Sequence, residues 1–237
     1  MFGEVNATKE LRRHGYLRYL TRHLSVANPR EGESMSFVIP IEGNTLEIQR
    51  IMEDLEQFGI KNDLAQSDKS KKYLNITRDT GEFLSVLVKA MGARKILEIG
   101  TSNGYSTIWL ASALPDDGKV YTIEANPQKV EEASLNFDQT HTSSKIVQLV
   151  GDVTEVLSDV SESVDFIFLD ADRKTYLSLA EGLFNLLKTG GLLVCDNATS
   201  HADELSEFRA WVSSQQNLSV SLVPVGKGEL LVYKGEK

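Results

Sequence analysis

From Lys95 to Lys234 short apolar runs alternate with stretches of helical periodicity, and that rhythm leaves a chain few ways to fold. "KILEI" precedes a helix through "YSTIWLASAL", and "KVYTIE" precedes "NPQKVEEASLNFDQ". "KIVQLVGD" precedes "VTEVLSDV", "VDFIFLDAD" precedes "TYLSLAEGLFNLLK", and "GLLVCDN" precedes "ADELSEFRAWVSSQ". A strand that is apolar throughout and feeds a helix belongs in a parallel sheet covered on both faces. The last two runs, "VSLVPVG" and "ELLVYK", meet at Gly226-Lys227-Gly228, a connection that suits an antiparallel edge hairpin. The expected fold class is α/β: a seven-stranded, mostly parallel sheet with an antiparallel C-terminal hairpin and helices on both faces.

Residues 1–74 lack this strand rhythm and read as an N-terminal helical extension, a lid or a subunit contact, ahead of a second unit at 75–237. Within the extension, "NTLEIQRIMEDLEQFGI" predicts an amphipathic helix. Asn44 is placed to cap it, Glu47 occupies the capping-box position, and Leu46, Ile51, Leu55 and Phe58 recur at helical spacing up to a stop at Gly59. "RDTGEFLSVLVKAMGA" predicts another helix, with Asp79 and Glu82 as a capping pair and Phe83, Leu84 and Leu87 on the buried side.

The formal net charge of −9 makes nucleic acid an unfavoured partner, since phosphate backbones prefer basic surfaces. "LRRHGYLRYLTRH" and "DKSKK" are local exceptions, read as solvated faces or as one basic helix face. Apolar runs are too short to span a membrane, and the charged N-terminus does not resemble a secretory signal. The single cysteine, Cys195, excludes an internal disulfide framework, reads as small core filler and fits a reducing compartment, the cytoplasm.

In such sheets ligands sit beyond the carboxyl ends of the strands. "EIGTSNG" occupies that position after the first strand, with Gly100 and Gly104 allowing a sharp turn and the helix from Tyr105 offering free amides. A dinucleotide site would need Gly-x-Gly-x-x-Gly. Here the pattern is Glu98, Gly100, Gly104, and a carboxylate beside the loop repels pyrophosphate but suits a cationic amino acid moiety. S-adenosylmethionine carries an ammonium and a sulfonium and no phosphate, and it is the ligand inferred; the alternative is a glycine turn with no ligand. Glu124, ending the second strand, can accept both ribose hydroxyls, and Asp152, ending the third, can face the adenine. Either acid alone would more often be a loop cap; three acids at three consecutive strand ends point to a ligand.

Taken together, "DTGEFL", "LEIGTSNGYSTIWLA", "GD", "FLDADRKTY" and "GGLLVCDN" resemble the class I S-adenosylmethionine-dependent methyltransferases. More narrowly, they resemble the cation-dependent O-methyltransferases of the caffeoyl-CoA and catechol types. The resemblance runs from about Leu74 to Lys234 and implies a Rossmann-like sheet. With it, the candidate cofactor site takes in Glu98, Gly100, Thr101, Ser102, Gly104, Tyr105, Ser106, Glu124, Ala125, Asp152, Val153 and Asp170.

Asp170 ends the fourth strand, and Asp196 with Asn197 ends the fifth. Two carboxylates and an amide oxygen make a hard oxygen site suited to Mg2+; the alternative is a loop cap and a turn. In the family the matching residues bind the divalent ion. Such an ion would lower the pKa of an acceptor phenol, and ~3 units correspond to ~4 kcal/mol.

The family often has a lysine three residues beyond the first metal aspartate; here that residue is Arg173, followed by Lys174. Arginine stays protonated, so Arg173 could stabilise a phenolate but not act as a base, while Lys174 is either a substitute or an exposed lysine. Glu229 resembles a glutamate of the catechol type that contacts a substrate hydroxyl, although this turn reads Gly-Lys-Gly where the family often has Gly-Asp-Gly. Tyr176 either stacks on substrate or packs, and His201 either lines the pocket or lies exposed.

The resemblance implies transfer of a methyl group to a hydroxyl of a catechol-like or other small acceptor, by a homodimer. Two rivals remain. One is methylation of hydroxyuridine in tRNA, which needs a positive surface built from Arg12, Arg13, Arg18 and Lys69 to Lys72. The other is a non-catalytic module that binds the cofactor.

Overall fold

The computed structural model describes residues 41–68 and 71–236. Its elements run α1 (Ile41–Ala65), α2 (Arg78–Met91), β1 (Lys95–Ile99), α3 (Tyr105–Ala113), β2 (Lys119–Glu124), α4 (Pro127–Gln139) and β3 (Ile146–Val150). They continue with α5 (Val153–Val156), β4 (Val164–Leu169), α6 (Tyr176–Leu186), β5 (Leu187–Cys195), α7 (Ser206–Ser214), β6 (Leu218–Val223) and β7 (Glu229–Lys234). Arg12, Arg13, Arg18 and Lys69, the core of the expected basic surface, lie outside the described residues. Among the described residues, no helix is long and apolar enough to cross a membrane.

The sheet has seven strands in the order β3-β2-β1-β4-β5-β7-β6. β1 to β5 are parallel, and β7 runs antiparallel between β5 and β6. The chain starts at the centre, winds out to β3 and returns to β4, so the winding direction reverses between β1 and β4. That switch point opens a crevice beyond the strand ends.

Alternate residues of each strand face opposite sides. Leu97, Ile99, Ile167 and Leu169 pack with Leu179 and Leu183 of α6 and Phe208 and Val212 of α7. Ile96, Val120, Phe166 and Phe168 pack with Leu84 and Val88 of α2, Tyr105 and Ile108 of α3, and Met52 and Leu55 of α1. Fully burying one such side chain stabilises by about 1.5–3 kcal/mol. Met52 and Leu55 therefore fasten α1 to the same core as the sheet.

Two helix ends differ from the sequence expectation. α1 begins before Asn44 and runs through Gly59 to Ala65. Gly59 serves a close approach rather than a stop: a Cβ there would lie 2.5 Å from Asn75 Nδ2. α2 is preceded by Thr77, with Asp79 inside the first turn. The Asp79 carboxylate accepts instead from the Gly226 N–H at 3.0 Å, tying the helix to the β6–β7 turn. The buried face of α2 is Thr80, Gly81, Leu84, Ser85 and Val88, whereas Phe83 and Leu87 are half-buried.

Candidate active site

β1, β4 and β5 finish in register. Ile99 pairs with Leu169, and Leu169 with Cys195, so the next residues, Gly100, Asp170 and Asp196, stand side by side at the carboxyl edge. Backbone bonds extend the pairing: Asp170 N–H donates to the Ile99 carbonyl and Asp196 N–H to the Leu169 carbonyl, each at 3.0 Å. Cys195 also pairs with Leu230 of the antiparallel β7, which brings Glu229 beside Asp196.

The Asn197 side-chain amide bridges the aspartates, with Nδ2 3.1 Å from Asp170 Oδ1 and 2.9 Å from Asp196 Oδ2. The Asn197 backbone N–H donates to Asp196 Oδ1 at 2.6 Å, and its φ of 64° is a left-handed conformation that asparagine tolerates better than most residues. A half-turn of the amide would present its oxygen to the same space. Among the described residues no three His, Cys, Asp or Glu side chains form a ligand group by themselves; the third polar group beside the two aspartates is the Asn197 amide, with its nitrogen towards them.

Electrostatics single out this edge. Burial, then the charges of Asp196 and Glu98, push the Asp170 carboxyl well above the usual carboxylate range, against the pull of Lys227 and Arg173. Glu229 is fully buried; burial and Asp196 drive its carboxyl up as well. Its Oε1 accepts from Thr80 Oγ1 at 3.0 Å, while Oε2 finds no hydrogen-bond partner among the described residues. Crowded carboxylates of this kind hold a proton or await a cation.

The glycine loop faces the same edge. A narrow cleft lies over it, lined by Gly100, Thr101, Ser102, Asn103, Tyr105, Ser106 and Asp170 and by residues 73–76. Glu124 remains at the loop: Oε2 accepts from Ser102 N–H and Oε1 from Asn126 N–H, both at 2.9 Å. Thr101 is buried, its hydroxyl 2.6 Å from that of Thr122. Asp152 caps α5, accepting from the Thr154 N–H at 2.9 Å and hydroxyl at 2.5 Å, with Val153 half-buried behind it. Ala125 is exposed.

Glu98 does not face the cleft as the sequence suggested. It shares the sheet face of Ile96, towards α3, and is fully buried. Ser106 Oγ (2.6 Å), Thr107 Oγ1 (2.5 Å) and Thr122 Oγ1 (2.6 Å) all donate to its carboxylate, so Glu98 anchors α3 to β1 and β2 beneath the loop. Burial pushes its pKa up from 4.5 to about 7, even against these hydroxyls. An acid whose pKa rises on folding carries no penalty below its unfolded value and gathers one as pH climbs to the folded value. Glu98→Gln should therefore lose less stability than the parent between pH 4.5 and about 7. Urea midpoints across that window measure the difference, and parallel curves would contradict it.

The family model described as O-methyltransferase matches residues 43–234, most of the chain. The chain belongs to the O-methyltransferase family. Catechol O-methyltransferase of Niastella koreensis is 33% identical over 138 residues, covering 56% of this chain and 62% of that protein. Caffeoyl-CoA O-methyltransferase 2 of Petunia hybrida is 37% identical over 130 residues, 52% of this chain and 54% of that protein. The chain thus spans about 54–62% of the length of these two relatives. An O-methyltransferase from Bacillus cereus, solved in complex with SAH, shares the fold at a TM-score of 0.67 and 22% identity, over 92% of this chain and 96% of that one.

The remaining residues that the O-methyltransferase resemblance brought forward divide between site and core. Arg173 points inward, its side chain 10% exposed, and its Nε donates to Glu204 Oε2 at 2.9 Å. Lys174 is exposed. Tyr176 is core and not a stacking surface: it is fully buried, its hydroxyl accepts from Ala171 N–H at 2.6 Å, and its ring meets Phe208 edge-on at 6.0 Å. There it supports the Asp170 loop from below. His201 is half-buried, with Nδ1 2.9 Å from Ser200 Oγ and its N–H bonded to the Asn197 carbonyl at 2.9 Å. Residues 73–76, which line the cleft, escaped the sequence reading; four residues of irregular backbone carry no periodicity to find.

Proposed function

We propose that the protein transfers a methyl group from S-adenosylmethionine to a hydroxyl of a small, catechol-like acceptor with the help of a divalent cation, Mg2+. The observation that carries this is the convergence of Asp170, Asp196 and Asn197 at one sheet edge, with Asp170 also lining the cleft over the glycine loop. The donor set suits a hard cation: two carboxylates each within hydrogen-bond distance of one amide group, and no lysine or arginine within ion-pair distance of Asp170 or Asp196 among the described residues. The relatives named for catechol and caffeoyl-CoA, and the SAH complex of the Bacillus cereus fold neighbour, support the same donor and acceptor class.

Asp170, Asp196 and Asn197 would hold the cation, which when bound favours the oxyanion of an acceptor hydroxyl. The residues' own part is placement. The register of β1, β4 and β5 fixes the aspartates beside the loop, and Tyr176 and Glu98 brace the two loops from within. Positioning of reacting atoms can supply ~7–11 kcal/mol of a barrier, so rigid placement is the main demand on this site. The Arg173 guanidinium, kept near Asp170 by Glu204, adds positive charge where an oxyanion develops and takes no proton. The buried lone Cys195 agrees with a reducing, cytoplasmic setting.

The test is transfer of a labelled methyl group to a panel of catechols, flavonoids, hydroxycinnamates and bulk tRNA, with and without chelator. Labelling of a vicinal dihydroxy aromatic that chelator abolishes and Mg2+ restores is expected. Label appearing on tRNA alone, or transfer indifferent to chelator, would overturn the reading.

A further inference from the structure

One wall of the cleft over the glycine loop is irregular backbone, residues 73–76, and α1 holds it in place. Asp63, in the last turn of α1, spends both carboxylate oxygens on it. Oδ1 accepts from Tyr73 N–H and Oδ2 from Leu74 N–H, each at 2.8 Å. Asn62 steadies that carboxylate, donating to Asp63 Oδ1 at 3.0 Å and to the Lys71 carbonyl at 2.9 Å. Leu74 has a φ of 52°, a left-handed conformation that a leucine adopts only where its surroundings impose it. Two successive N–H groups converging on one carboxylate impose it here.

On its other side the same segment joins the loop. Ser102 Oγ donates to the Tyr73 carbonyl at 2.8 Å, and Ser102 N–H donates to Glu124 Oε2 at 2.9 Å. A continuous hydrogen-bonded line therefore runs from the end of α1, through Tyr73 and Ser102, to the acid that ends β2.

We infer that Asp63 is a positioning residue for the cofactor cleft: by clamping the Tyr73 and Leu74 amides it sets the wall against which the loop and Glu124 close on an S-adenosyl ligand. The inference rests on the cofactor reading proposed above. Linkage makes the effect mutual, so ligand binding tightens the clamp as the clamp favours binding. If Asp63 merely anchored a helix, its loss would lower stability and leave affinity alone.

The experiment is calorimetric titration of SAH into the parent, Asp63→Ala and Asp63→Asn proteins, with amide exchange at Tyr73 and Leu74 measured in the parent with and without SAH. Loss of two charge-assisted bonds should raise the SAH Kd about tenfold in Asp63→Ala, with Asp63→Asn in between because it keeps one acceptor. KM for S-adenosylmethionine should rise likewise while kcat at saturation stays near the parent value. Both amides should exchange more slowly once SAH is bound. A folded Asp63→Ala protein with parental SAH affinity overturns the inference. Should that variant fail to fold, parental affinity in Asp63→Asn, or exchange unaltered by SAH, overturns it equally. A parent protein that binds no SAH removes the cofactor reading itself, and the inference with it.

Discussion

Asp196→Ala is expected to bind SAH within about twofold of the parent and to transfer methyl groups at least about a hundredfold more slowly. The two halves of this result have separate causes. Asp196 stands one strand beyond the cleft: Asp170 lines the space over the glycine loop and Asp196 does not. Affinity for the donor should therefore survive. Transfer should not, because Asp196 contributes one of two carboxylates at the proposed cation site and also positions Asn197 through the 2.6 Å bond to its backbone N–H. Asp196→Asn separates these roles. It can still accept that bond, but the charge is gone, so loss of transfer in both variants would assign the effect to charge. Parental turnover in Asp196→Ala would place the chemistry elsewhere.

Gly100→Ala should be the most damaging small substitution in the loop. Gly100 has a φ of 105°, where an L-residue is strained, and a Cβ built there lies 2.3 Å from the Asp170 carbonyl oxygen and 2.9 Å from its carbon. Backbone cannot swing aside as a side chain would. Either the loop opens or β4's end moves, and each displaces Asp170. Strain and overlap together should cost about 2–4 kcal/mol, which lowers Tm by roughly 5–15 °C in a chain of this size. Transfer activity should fall further than stability alone explains, because the displaced atom belongs to a proposed cation ligand. A thermal melt paired with an assay at a temperature where the variant is fully folded distinguishes the two. An unaltered melt would mean that the loop relaxes around the added methyl group.

The sheet was legible in the sequence because its parallel strands are apolar on both faces, so "KILEI" and "KVYTIE" coincide with β1 and β2. The meeting of Asp170 with Asp196 and Asn197 was legible for the same reason, as it follows from adjacent strands ending in register. The orientation of Glu98 was misjudged although its cue was present: two-residue alternation sets it on the face of Ile96, towards Ser106 and Thr107. Gly59 looked like a helix stop because its reason, the side chain of Asn75, lies in a segment without periodicity. Asp152 and Tyr176 turn on local geometry, a cap and a buried hydroxyl bond, that residue type alone leaves open.

Counting bound Mn2+ from the loss of its free-ion paramagnetic resonance signal tests the site most directly, since it needs no acceptor. The parent should bind about one ion per chain, displaceable by Mg2+, and Asp170→Ala and Asp196→Ala should bind none in the same concentration range. A parent protein that takes up no ion, or variants that bind it as tightly as the parent does, would contradict the claim that Asp170, Asp196 and Asn197 gather around a cation.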